Sequence, residues 1–381
     1  MKKKILILID WFLPGYKAGG QIPSVANIAK LFKNEYDISI MTRNKDWGKE
    51  ADYEGLEFDR WILKYDTRIM YISRSKLNFG FLKKTMKKEH FDILYLNSFF
   101  SFYFSILPII IKKLCIRKGK ILLAPRGMLG EGALKIKGFK KKAYIAFAKV
   151  IGIYKNIFWH ASSSFENEEI KTVFGEKAVV FNALDITILD FNRFQKIEKK
   201  AGTLNLFFVS RITHKKNLDF ALDILMEMNA GNISYNIIGP IENVEYWELC
   251  MSKINQLNKN ITINYLGSVP NFQLKDLSRS FDFFFLPTLN ENYGHSIIEA
   301  LSFGCPVIIS DQTPWNSVND KNAGWAISLN DKQKFIDTLN FALSMDNNTF
   351  VSWSEAAIKF AETNCNIEMV MQENRTMIES I

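Results

Sequence analysis

Glu291 and Glu299 stand eight residues apart in Pro287-Thr288-Leu289-Asn290-Glu291-Asn292-Tyr293-Gly294-His295-Ser296-Ile297-Ile298-Glu299-Ala300-Leu301. The apolar run Phe283–Leu286 precedes them and an amphipathic pattern follows, so the segment reads as strand, loop and helix. Glu291 then lies in the loop, and Glu299 sits about a turn and a half inside the helix. The amides of Gly294, His295 and Ser296 fall at the helix N-terminus, where unsatisfied N–H groups and the dipole hold phosphate. A carboxylate on such a helix can accept from a ribose diol. The spacing alone means little; in a strand–loop–helix context it suits a nucleoside phosphate.

A second group precedes it. In Val209-Ser210-Arg211-Ile212-Thr213-His214-Lys215-Lys216-Asn217 an apolar run ends in Arg211, and Lys216 follows where the next helix begins. Two fixed cations at a strand's carboxyl end suit a diphosphate, Arg by forked hydrogen bonds and Lys as a point charge. A merely solvated loop reads the same way. Near the start, Gly19-Gly20 comes just before a helix and would let backbone approach a phosphate, but the G-x-G-x-x-G spacing of a dinucleotide site is absent and a plain turn fits equally. His160 closes a short apolar run and stands open between a site residue and a structural one. There is no Asp-x-Asp and no C-x-x-C: Cys115, Cys250, Cys305 and Cys365 are scattered. No metal ligand set or disulfide frame is expected, and the reducing cytosol is the expected compartment.

The elements that must position these groups alternate. Short apolar runs at 5–9, 38–41, 93–96, 121–124, 157–159 and 179–181 read as buried strands, with amphipathic helices at 21–33, 77–88 and 139–150. The rhythm restarts with strands at 206–209, 235–238, 261–266, 283–286 and 307–309 and helices at 218–228, 245–257 and 294–303. Further helical segments are read at 331–346 and 348–363. This is an α/β chain of two doubly wound domains, which bind ligands at the carboxyl ends of their strands and so at a cleft between them. The expected boundaries are 1–185, a polar linker at 186–203, 204–365, and a helical tail at 366–381 returning to the first domain.

Charge divides unevenly. Up to residue 190 there are 33 Lys+Arg against 19 Asp+Glu, a net of +14; the remainder carries 16 against 21, a net of −5. One domain is therefore expected to meet something anionic. Lys112, Lys113, Arg117, Lys118 and Lys120 form one cluster, and Lys135, Lys137, Lys140, Lys141 and Lys142 another, followed by apolar residues up to Ala148. An anionic membrane face is the partner this pattern suggests, with basic helices in water as the plain alternative. The apolar run at 5–9 is too short for a signal core, and the stretch 99–111 is too short to span a bilayer.

On these motifs the chain resembles the retaining glycosyltransferases of family 4 (group 1), which have the GT-B fold of two Rossmann-like domains. The likeness covers Gly19-Gly20, Pro125-Arg126-Gly127-Met128-Leu129, Asn182-Ala183-Leu184-Asp185, Arg-x4-Lys, Glu-x7-Glu and Gly304-Cys305-Pro306-Val307 through Trp315. It implies a nucleotide-diphosphate sugar as donor, no cofactor or metal, and a glycan or polyprenyl-diphosphate-linked acceptor in bacterial lipopolysaccharide, capsule or exopolysaccharide synthesis. From the cysteine usage and the lysine clusters, the expected location is the cytoplasm, with peripheral docking on the inner face of the plasma membrane.

Carried over by residue, Arg211 and Lys216 neutralise the donor diphosphate, and the segment Tyr293-Gly294-His295-Ser296 binds the donor with Gly19 and Gly20. Glu299 holds the ribose, Glu291 positions the transferred sugar, and Val269 meets the base. Arg126 departs from the family, many of whose members have His there; Arg is no base at neutral pH and would supply charge to leaving group or acceptor. An epimerase or hydrolase on the same fold is the alternative. Nucleic acid is not an expected partner, because no readout or stacking module is present.

Overall fold

A computed structural model describes residues 2–135, 138–189, 191 and 196–381. The chain forms two units, Met1–Thr187 with Ile367–Ile381, and Ile188–Asn366. The first contains β1 Lys4–Leu8, β2 Asp37–Arg43, β3 Trp61–Lys64, β4 Thr67–Ile72, β5 Ile93–Asn97, β6 Lys120–Ala124, β7 Phe158–Ala161 and β8 Val179–Asn182. They lie in the order β3-β4-β2-β1-β5-β6-β7-β8, and β3 alone runs antiparallel to its neighbour.

Both faces of this sheet are covered. Successive side chains of a strand point to opposite faces, and β1 divides accordingly. Leu6 and Leu8 join Leu94, Leu96, Leu123 and Trp159 on one side, while Ile5, Ile7 and Ile9 join Ile93, Tyr95 and Leu122 on the other. Helix Gln21–Phe32 buries Ile22, Val25 and Phe32 on the second face. So does the last helix, Ile367–Glu379, through Val370, Met377 and Ile378. Arg375 fixes that helix by a forked pair with Glu35 at 2.7 and 2.8 Å, whose hydrogen bonds hold the Glu35 carboxyl below its ordinary range.

The second unit contains β9 Thr203–Val209, β10 Asn232–Ile238, β11 Ile261–Gly267, β12 Phe283–Leu286, β13 Val307–Ser310 and β14 Gly324–Ile327. All its pairings are parallel, in the order β11-β10-β9-β12-β13-β14. The order reverses between β9 and β12, and a crevice opens there at the strands' carboxyl ends.

Several elements differ from the sequence expectation. β3 and β4 form an edge hairpin around Tyr65 and Asp66, both at positive φ, a turn without the usual Asn-Gly or Asp-Gly pair. β14 and the helices Ser164–Phe174 and Asn271–Leu277 were likewise not expected. The apolar stretch 99–111 divides into a π-helical turn, Phe102–Ile106, and the helix Leu107–Cys115. No helix among the described residues is long and apolar enough to cross a membrane.

Candidate active site

The switch point of the second unit gathers the two loops singled out in the sequence. β9 leads into Arg211 and the short turn His214–Lys216, and β12 leads into 287–294 and the helix His295–Ser302. The loops are joined by hydrogen bonds to backbone carbonyls. Leu289 N–H donates to Lys215 O at 2.9 Å, the Thr288 hydroxyl donates to the same oxygen at 3.0 Å, and Asn217 Nδ2 donates to Pro287 O at 2.9 Å. Glu291 N–H is held by Gln312 O, beyond β13, at 2.8 Å.

These ties set one side-chain pair. The Lys216 ammonium meets the Glu291 carboxylate, and both side chains are largely withdrawn from water. Burial pushes the Glu291 carboxyl up. The charges of Lys216 and Lys215, with hydrogen bonds from Lys216 and Thr288, outweigh it and hold the group below its ordinary range. Glu291 is therefore ionised at neutral pH. Arg211 sits further out, its guanidinium 2.9 Å from Glu242 and partly exposed.

Gly294 caps the helix at φ +80°, a left-handed conformation that glycine adopts without strain. A Cβ there would stand 2.9 Å from Ile297 Cδ1 and 3.3 Å from Trp315 Nε1. Glycine brings no side chain to cap the helix, so its N-terminus is a surface of backbone amides and positive dipole. Tyr293 serves below this surface. Its ring is buried against Trp315 at 5.3 Å, and its carbonyl accepts from the Trp315 indole. His295, Ser296 and Glu299 are half-buried along the helix. Val269 follows β11, two strands from the switch point.

The first unit has its own switch point, between β1 and β5. The loop after β1 is pinned by side chains: Arg43 donates twice to Asp10, Asp46 accepts from the amides of Tyr16 and Lys17, and the Tyr53 and Tyr71 hydroxyls donate to Phe12 O and Leu13 O. Gly19, at φ +84°, has open space where a Cβ would point. Gly20 caps the helix Gln21–Phe32.

Arg126 lies deeper than a surface cation. It sits past β6 at φ +57° and pairs with Asp185 inside the unit. Its guanidinium also donates to Asn97 Oδ1 at 2.6 and 3.2 Å and to the Tyr95 hydroxyl at 3.1 Å. Ser24 donates to Asp185 at 3.1 Å. The Tyr95 hydroxyl meets His160 Nδ1, and His160 Nε2 donates to Ala183 O at 2.8 Å. Burial first, and then the Arg126 charge, push His160 down to about 4. The imidazole is thus neutral at pH 7. Glu166 completes the network by accepting from the amides of Gly127 and Ser162. Sequence reasoning named Arg126 and His160 but missed Tyr95, Asn97, Glu166 and the role of Asp185. Only Asp185 carried a signal, as the end of the quoted Asn182-Ala183-Leu184-Asp185 run.

Residues 190–360 match the family model described as Glycosyl transferases group 1. An uncharacterized 41.2 kDa protein in the cps region of Klebsiella pneumoniae is 24% identical over 286 residues, covering 71% of this chain and 73% of that protein. The capsular polysaccharide biosynthesis glycosyltransferase CapH of Staphylococcus aureus is 23% identical over 319 residues, covering 82% and 84%. Among solved structures, Anabaena Alr3699/HepE in complex with UDP and glucose superposes with a TM-score of 0.76 at 14% identity, each chain covered completely. That last likeness is one of fold, and the fold is GT-B.

Proposed function

Because residues 190–360 match the glycosyl transferases group 1 family model, we propose that the chain moves a sugar from a nucleotide-diphosphate donor to a hydroxyl of a glycan or polyprenyl-diphosphate-linked acceptor. The product would be a bacterial surface polysaccharide of the capsule or exopolysaccharide kind. The observation that carries this reading is the Lys216–Glu291 pair at the β9/β12 switch point, beside a helix N-terminus capped by glycine. The name of the Staphylococcus relative supports the capsule, and the HepE complex supports a uridine diphosphate donor.

The chemistry follows from what these groups can hold. As the anomeric C–O bond breaks, negative charge grows on the departing diphosphate. Lys216, Arg211 and the first-turn amides are fixed donors for that charge, already oriented before the reaction begins. Glu291, ionised at neutral pH, accepts hydrogen bonds from the hydroxyls of the transferred sugar. The acceptor oxygen bonds to the anomeric carbon on the face the diphosphate leaves, and its proton passes to the departing phosphate oxygen. The configuration is retained, and the products are a glycoside and a nucleoside diphosphate. In this scheme protein cations take the part that a divalent metal plays elsewhere.

The test is a panel of nucleotide sugars, beginning with UDP-glucose, offered with lipid-linked acceptors and read by product mass spectrometry. Transfer from one donor with retained configuration, undiminished in excess chelator, is expected. Nucleoside diphosphate release that needs no acceptor would point to a hydrolase. Activity that is lost in chelator and restored by manganese would overturn the metal-free scheme.

A further inference from the structure

The helix Gly138–Val150 is apolar on two opposite faces. Its inner face buries Ile145 and Ala148, and the Tyr144 hydroxyl lies 2.6 Å from that of Tyr154. Its outer face carries Phe139, Phe147 and Val150, which are 88%, 62% and 86% exposed, with Ile151 at 53% just beyond. At about 100° per residue, Phe139, Ala143, Ala146 and Val150 form one line, with Phe147 beside it. Lys140 flanks that line on one side, and Lys142 and Lys149 on the other, all three exposed. A helix with two apolar faces is ordinarily covered on both.

The structure also sorts the two lysine clusters read from the sequence. Lys141 turns inward, donating to Ala133 O and standing 5.2 Å from the Phe100 ring centre. Lys137 and the side chain of Lys135 lie outside the described residues. At the far end, Lys113 donates to Gly152 O at 3.2 Å and Lys155 O at 2.7 Å. These bonds tie the helix Leu107–Cys115 to the turn that follows Val150, at the end of the helix opposite Lys140 and Lys142.

We propose that the outer face of helix Gly138–Val150 docks on an anionic lipid surface. Phe139, Phe147 and Val150 enter the boundary between headgroups and acyl chains, while Lys140, Lys142 and Lys149 meet the headgroup charge. A second copy of this chain is the poorer occupant, because lysines border both sides of the apolar line. Two such faces brought together would oppose like charges. The inference goes beyond the transferase reading and stands on the surface alone.

Co-sedimentation of the full chain tests it, with vesicles of phosphatidylglycerol mixed into phosphatidylcholine against phosphatidylcholine alone. Binding is expected only to the anionic vesicles, and it should fade toward 1 M salt, where the Debye length is about 3 Å. Each lysine near the surface is worth roughly fivefold in partitioning, so Lys140→Gln, Lys142→Gln and Lys149→Gln together should weaken binding about a hundredfold. Phe139→Ser with Val150→Ser should weaken it about tenfold or more through lost apolar burial. These side chains are exposed, so the thermal midpoint should not move, and it serves as the folding control. Equal binding to both vesicle types, or binding unchanged in both variants, overturns the proposal. So does self-association abolished by Phe139→Ser in a chain that ignores vesicles.

Discussion

Arg126 and Asp185 form an ion pair inside the first unit, with side chains only 7% and 5% exposed, joining the end of β6 to the chain just past β8. The pair is answered on all sides by Asn97, Tyr95 and Ser24. Removing one partner strands a buried charge, which costs about 3–5 kcal/mol. Asp185→Asn should therefore lower the stability of this unit by that order, measured by denaturant unfolding. Replacing both partners with Leu and Met should cost clearly less. A loss below about 1 kcal/mol in the single variant would mean the guanidinium finds water.

His160 supplies a pH signature. Its folded value of about 4 lies below the 6.5 of an unperturbed imidazole, so the unfolded chain binds its proton first. The stability it contributes is complete above pH 6.5, declines as pH falls through that range, and is gone below about 4. The loss amounts to about 3 kcal/mol. His160→Gln should flatten this slice of the stability profile, measured by urea unfolding at a series of pH values. An unchanged profile would place the proton elsewhere.

Lys216 is predicted to act on the leaving diphosphate. Lys216→Ala should lower turnover by about 10²–10³, the scale of one lost oxyanion donor. Arg211→Ala should cost less, since Glu242 and solvent already screen that charge. Steady-state kinetics on the active donor decides it, and full activity in both variants would remove the assignment.

Gly294→Ala tests the helix cap. The left-handed φ costs a residue with a Cβ about 1–2 kcal/mol, before the crowding against Ile297 and Trp315 is counted. Relaxing either contact would tilt the first-turn amides that are proposed to hold the phosphates. Weaker binding of the nucleoside diphosphate, read by calorimetry, is expected together with a lowered melting midpoint. Native affinity in a destabilised variant would show the amides to be bystanders.

Much of the fold was legible because the strands at its centre are buried on both faces and therefore read as unbroken apolar runs, such as Phe283–Leu286. The edges were not. Residues of β3 are half-exposed and its turn uses Tyr65-Asp66, so neither alternation nor turn chemistry marked it. At the site, Glu291 and Lys216 were legible from their places after strands. Their pairing was not, because it depends on β9 and β12 lying side by side, a fact of topology rather than of spacing. Tyr95 and Asn97 were hidden for the opposite reason: Tyr95 lies inside the apolar run and Asn97 just past its end, and only the approach of Arg126 and His160 gives their polar atoms partners.

The last helix has a consequence for how the chain is made. Ile367–Glu379 packs on the sheet built from the first 187 residues, yet the whole second unit is translated before it. At about 5–20 residues per second, the first unit waits roughly ten to forty seconds with the seats of Val370, Met377 and Ile378 empty. The second unit has all its residues before that wait ends. The unit that begins first is finished last.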